Sequence, residues 1–550
     1  MKNIAKYFIL AATASTMFAT SCIEETEPTT LATEEQLGSS AKATEALLAA
    51  MPSFFNVYDN LGTSRHNDFG YSSVMHVRDV MTADMTIVES DYDWFQRWET
   101  NTYQGDSYYF TRLVYNYYFK FIQTTNNIAG AVDEETATDL QKFYLGNALA
   151  FRALCYLDVA RMYEFLPSDV IPGDASILNL TVPVVTEKTA QSDAQNNPRV
   201  SHKEMYEFIL NDLCKAEQYI GLSSRIDKTY PDLTAVYGLK SRLFLWDQQY
   251  DSAAIYARKA IDLNKYRPTT KEEWLDVTTG FNTLSEASWI WGSQLVAEDD
   301  AVQTGICNWT SWMSPEAYYG YASAGPMPMI DAQLYNSISD DDWRKLSFIA
   351  PANSPLAGQT PLVQSYEYGL YMDGLYYILN ANNQYYAAFP EYTGVKFRPN
   401  QGNLNEYAVG SASAFPVMRI EEMYFTEAEA YCLLGDPAKA KELLNAFMQT
   451  YRYSTYTGIN GTSQDAVFNE IFKQKRMEFW GEGITFYDYK SLNLSVDRQY
   501  DGNNYQGLAT FKTNGRPAWM SLVIPNSETN YNTAIVNNPD PSDLYTPLTE

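Results

Sequence analysis

Residues 421–447 read EEMYFTEAEAYCLLGDPAKAKELLNAF. Tyr424, Ala428, Tyr431, Gly435 and Ala440 fall on the frame of a tetratricopeptide-type repeat, a helical pair of fixed period. Residues 249–263, QYDSAAIYARKAIDL, place Tyr250, Ala253 and Ala260 at the spacing of the second helix of such a pair, and the alanines let two helices approach closely. Upstream, GNALAFRALCYLDVARMYEF (146–165) sets Ala150, Leu154 and Leu157 on one amphipathic stripe with Arg152 and Arg161 off it. Helical patterns continue over 202–221 and 233–264. Each pair hides its apolar face only by stacking on neighbours, so the predicted fold is all-α, a curved tetratricopeptide-like helical-repeat scaffold.

The repeats are interrupted. Between 265 and 415 the chain carries Pro, Gly, Asn and clustered Tyr, with little helical period beyond 326–348. This is too long for a connector and reads as a loop-rich, aromatic, functional insertion. Within it, residues 305–321, GICNWTSWMSPEAYYGY, carry Trp309, Trp312, Tyr318, Tyr319 and Tyr321. A second cluster, DYDWFQRWETN (91–101), offers Trp94, Arg97, Trp98 and Asn101 just before the first helical pair. Rings on loops above a rigid scaffold are the usual layout of a binding site, and these nine residues are the expected ligand platform. The competing reading is that half of the rings plug the insertion onto the helices.

The chain has 550 residues, 45% hydrophobic and 19% charged, a globular composition with ample core material. Its formal charge, 39 − 67 = −28, argues against nucleic acid or an anionic membrane surface as partner. The 44 Tyr suit an amphipathic surface, since the ring is apolar and the hydroxyl can stay wet. Five cysteines form no C-x-x-C pair, and Cys155, Cys214 and Cys432 read as small core residues. With only His66, His76 and His202 and no spaced acid cluster, neither a metal site nor a cofactor is expected. Phosphate-loop, dinucleotide, zinc-protease and serine-hydrolase motifs are absent, so no catalytic residue is assigned. A glycosidase needs only two carboxylates, which 67 acids do not exclude.

At the N-terminus, Lys2 and Lys6 precede an apolar stretch from Tyr7 to Phe18 that is too short to span a bilayer, then Ala19, Thr20, Ser21 and Cys22. This resembles a lipoprotein signal peptide (1–21) whose Cys22 is acylated, with Ala19 where Leu is usual. The alternative is an ordinary signal with an incidental Cys. Residues 22–42 read as a flexible acidic tether, similar to the surface-export signal of lipoproteins in the Bacteroides group.

Five further blocks resemble the SusD/RagB nutrient-binding outer-membrane lipoproteins, in order along the chain. They are residues 144–167, residues 325–345 with Asp342 and Arg344, and residues 415–436 with Pro416, Arg419, Glu422, Tyr424, Ala428, Glu429 and Ala430. The fourth block, 471–493, matches at Arg476, Glu478, Gly481, Glu482, Gly483 and Asp488, and the fifth is VIPNSETNYN (523–532). Arg419, Glu422, Arg476 and Glu482 read as charges satisfying one another between packed helices. The resemblance implies an N-terminal helical-repeat region (43–264) and a C-terminal region (265–550) whose insertion faces ligand. It further implies a surface protein, anchored in the outer membrane by lipid, that captures an oligosaccharide or polysaccharide for a SusC-like TonB-dependent transporter. Trp and Tyr would stack on the apolar face of a sugar while Asn, Arg and Asp bond its hydroxyls, with no cofactor and no catalysis. A peptide binder, a glycoside hydrolase and a protein–protein adaptor are the other readings.

Overall fold

The structure, a computed structural model, describes residues 41–363, 368–372, 375–379 and 385–547. The signal peptide, Cys22 and nearly all of the proposed tether lie outside the described residues. In the helical pair read from residues 421–447, one helix runs Ile420–Leu433 and the next Pro437–Tyr451. Gly435 turns the chain at φ 93°, the Asp436 side chain accepts the Lys439 amide, and Pro437 opens the second helix where its missing N–H costs nothing. Ala428 and Ala440 are fully buried between the helices, and Phe425 meets Phe447 at 5.2 Å.

The long helices stack in sequence order. Tyr109–Ala131 packs on Asp139–Tyr163, which packs on His202–Tyr219, followed by Leu233–Trp246 and Tyr250–Asp262. The next neighbour of Tyr250–Asp262 is Ile420–Leu433. The insertion is therefore an excursion from one continuous stack, leaving and returning between adjacent helices. Among the described residues the fold is helix-dominated, with three small antiparallel sheets added. One closes the base of the excursion, pairing Trp289–Gln294 with Ala414–Arg419. Another pairs Met85–Ile87 with Pro328–Ile330 and ties the N-terminal segment to the insertion. The third joins Tyr368–Met372, Leu375–Leu379 and Tyr385–Pro390.

Two local readings change. The helix Asp139–Tyr163 is buried on nearly every side, not along one stripe. Arg152, expected off the apolar face, is enclosed and donates to both Asp212 carboxylate oxygens at 2.7 and 2.8 Å and to Glu187 at 2.7 Å. Cys155 and Cys432 are buried as expected, whereas Cys214 is only half-buried.

The family-like charges do satisfy carboxylates, but through more partners than one another. Arg419 donates to Glu482 at 2.9 Å and to Glu478 at 3.2 Å, Glu422 takes Arg242, and Arg476 takes Asp84. Arg452 forks onto Glu478 at 2.6 and 2.8 Å, and Arg344 reaches it at 2.8 Å. Burial alone would raise the Glu478 carboxyl, but the Arg452, Arg419 and Arg344 charges hold it well below the usual carboxylate range. Gly481 and Gly483 of the same block adopt φ of 80° and 66°, and a Cβ on Gly483 would lie 2.9 Å from the Met75 carbonyl.

Candidate functional site

The N-terminal segment is built around one turn of helix, Gln96–Glu99. Phe95 and Trp98, three residues apart, point into the core, which turns Trp94 and Arg97 outward. Asp93 accepts the Phe95 amide at 2.8 Å, and Asn67 donates to the Trp94 carbonyl at 2.9 Å while accepting from the Tyr109 hydroxyl at 3.1 Å. These bonds fix the floor of an open cleft of about 850 Å³ lined by Arg65, Glu89, Asp93, Trp94, Arg97, Tyr103, Tyr108 and Tyr109, among others.

Its exposed rings are tyrosines. Tyr103 and Tyr108 are 43% and 39% exposed and meet edge to face at 5.0 Å. Tyr103 holds φ 56°, a strained conformation for an aromatic residue, and so keeps its ring at the rim beneath Arg97, 4.6 Å away. Trp94 is half-buried; His66 stacks on it at 4.8 Å. The Arg65 guanidinium sits 5.6 Å from the Trp94 ring and 5.1 Å from that of Tyr109. Desolvation, with the Glu99 charge adding to it, pushes the Asp93 carboxyl up to about 8.

The two predicted clusters do come together. Tyr321 of the insertion hydrogen-bonds His66, which stacks on Trp94. The platform as a whole is nevertheless corrected. Residues 305–321 are not an open loop: Asn308 caps a short helix, Trp309–Met313, that is buried throughout. Trp309 packs against Phe397 at 4.9 Å, and Trp312 stacks on Tyr321 at 4.3 Å and meets Phe95 at 4.9 Å. Trp98 packs on Phe110, and Asn101 donates to the Pro541 carbonyl at 2.6 Å. Trp98, Asn101, Trp309, Trp312 and Tyr321 are all under a tenth exposed and offer no ring face or amide to a ligand. Tyr319 is held by the Asn403 carbonyl at 3.2 Å; Tyr318 is exposed but does not line the cleft. Trp94 and Arg97 line it. Sequence reasoning missed Tyr103, Tyr108 and Tyr109, whose signal was the aromatic run just past the second cluster, and Arg65, which had none.

Among the described residues no group of His, Cys, Asp and Glu could hold a metal ion, and no helix is long and apolar enough to cross a membrane. Asp342 and Asp340 pair with Arg344 and Lys345, respectively.

Two family matches divide the chain between them. Residues 268–540 match the SusD family, and residues 41–245 match a family described as starch-binding, associating with outer membrane. A SusD-like protein of Formosa agariphila is 21% identical over 397 residues, 70% of this chain and 73% of that protein. Among solved structures, a SusD-like carbohydrate binding protein from Bacteroides vulgatus superposes with a TM-score of 0.67 at 21% identity, covering 90% of this chain and 97% of its own. A SusD superfamily protein from Bacteroides thetaiotaomicron gives 0.66 at 18%, covering 91% and 100%. The matches run in the same order as the blocks read from the sequence, and the helical stack with its excursion is the fold of these relatives: the chain belongs to the SusD family.

Proposed function

We propose that this protein is a glycan-binding lipoprotein of the outer membrane, held at the cell surface through Cys22, that takes an oligosaccharide or polysaccharide into the Tyr103–Tyr108–Trp94 cleft. Family membership supports the carbohydrate reading, and so do the relatives described as starch-binding or carbohydrate binding. The observation that carries it is the cleft: open, with two exposed tyrosine rings at its rim, half-buried Trp94 in its wall, and guanidinium, carboxylate and amide groups between them. A pyranose stacks its C–H face on such rings and bonds its hydroxyls to such groups. Delivery to a SusC-like TonB-dependent transporter completes the proposal, with family membership as its support.

The test is binding of the soluble fragment to a glycan array beside a peptide panel. Glycan binding that is lost in Tyr108→Ala is the expected result. Capture of peptides alone would replace this reading with a peptide binder. Release of reducing ends from bound glycan, with Glu89, Asp91 and Asp93 as the carboxylates lining the cleft, would replace it with a hydrolase. Co-purification with a large β-barrel in mild detergent tests the transporter partner.

A further inference from the structure

The charges of the cleft narrow the ligand. In a chain where acids outnumber bases 67 to 39, most guanidiniums inside the fold are engaged, Arg112 with its unpartnered buried Nε being an exception among the described residues. Arg78, Arg152, Arg242, Arg344, Arg398, Arg419, Arg452 and Arg476 hold carboxylates, and Arg199, Arg498 and Arg516 donate to backbone carbonyls. Arg65, which is exposed, and half-buried Arg97 both line the cleft. Among the described residues neither has a carboxylate or carbonyl partner; Arg97 reaches only the Thr102 hydroxyl, at 3.5 Å. Both are seated by rings instead, Arg65 against Trp94 and Tyr109 and Arg97 against Tyr103. Ring contact occupies the face of a guanidinium and leaves its in-plane N–H donors free, in the fork that matches a carboxylate or sulfate. The seating also limits the side-chain freedom lost on binding.

Building on the glycan reading, the geometry points to an acidic glycan as the ligand of this cleft, one whose uronate carboxylates or sulfate groups are held by Arg65 and Arg97 while its sugar rings lie on Tyr103 and Tyr108. Three acids also line the cleft, Glu89, Asp91 and Asp93. Burial pushes the Asp93 carboxyl up to about 8, which weakens its opposition to an anionic ligand, while Glu89 and Asp91 share the lining with the two arginines.

The experiment measures Kd of the soluble fragment for four oligosaccharides: a hexauronate, the same chain after carboxyl reduction, a sulfated hexasaccharide, and its desulfated form. At least one acidic member should bind, weaken as NaCl rises, and lose about ten- to hundred-fold in affinity on removal of its acid groups. Arg65→Gln and Arg97→Gln should each lower that affinity at unchanged melting temperature, and by a larger factor for the acidic chain than for its neutral counterpart. Arg97→Lys, which keeps the charge and loses the fork, should fall between. The uronate and sulfate arms separate the two sources of the anion. Equal binding of acidic and neutral chains, or indifference to both arginine changes, overturns this inference and leaves the glycan reading standing. Failure of all four chains to bind also overturns this inference, and failure across the glycan array overturns the glycan reading with it.

Discussion

Trp94 and Trp312 stand on the same aromatic seam yet have different work. Trp312 is enclosed by Phe95 and Tyr321, so its removal leaves a cavity that the packed core cannot refill. Trp312→Ala should cost about 3–5 kcal/mol of folding free energy, read as a lowered denaturation midpoint. Tyr108→Ala removes an exposed ring and should leave that midpoint nearly unchanged while weakening glycan binding by about 1–3 kcal/mol, by analogy with base stacking. Equal loss of stability in both variants would show that the cleft is structural. His76 gives a pH prediction. It is fully buried, edge-on to Phe95 at 4.4 Å, neither ring nitrogen has a hydrogen-bond partner, and burial pushes its pKa down to about 3. The unfolded chain therefore binds a proton at this residue below about 6.5 while the folded one does not. Its contribution to stability is complete above that value and is lost as pH falls toward 3, at about 1.4 kcal/mol per pH unit. His76→Phe should flatten the fall between pH 6 and 4, and an unchanged profile would exclude this source.

At the scale of elements, the buried ion cluster joins the strand Ala414–Arg419 to the helices Pro437–Tyr451 and Gln464–Glu478. Arg419→Met would leave Glu482 with only Lys396, whose amine burial has already lowered to about 8, and would remove one of the three guanidiniums on Glu478. An uncompensated buried carboxylate costs about 3–5 kcal/mol, and urea denaturation of Arg419→Met should show a loss of that order. A loss below about 1 kcal/mol would mean that water or rearrangement relieves the charge. The Gly481–Glu482–Gly483 turn delivers Glu482 into this cluster. Both glycines hold positive φ while the backbone runs against Met75 and Phe397, which explains the residue pattern without any functional role.

Across the whole molecule, one hydrophobic cluster extends from Leu48 to Ile524. The C-terminal region grips the N-terminal one. Trp519 donates to the Met81 carbonyl, Arg498 to those of Val80, Thr82 and Glu99, and Arg476 pairs with Asp84. Calorimetry of the soluble fragment should therefore show one cooperative transition, and two separated transitions would contradict the shared core. The anchoring proposal also belongs at this scale. Cys22→Ala should leave that transition in place while releasing the protein from membranes, because acyl chains are the proposed attachment. Retention in the outer-membrane fraction without a transporter present would disprove it.

The sequence alone determined the helical pairs, because the spacing of Ala253, Ala260, Ala428 and Ala440 is a local property and close helix contact follows from it. It also determined the family, since ordered blocks of spaced residues need no coordinates, and these match. It named Trp94 and Arg97 among nine candidates without separating them from the buried ones. Tertiary structure decided which rings are open. Trp309 and Trp98 differ from Tyr103 and Tyr108 in nothing that a sequence window records. Burial is set by what arrives from elsewhere: Phe397 and Phe415 over Trp309, Phe110 over Trp98, but only Arg97 and each other against the tyrosines of the rim among the described residues. The freedom of Arg65 is likewise a fact about distant partners, because a guanidinium becomes available only where the fold brings it no carboxylate.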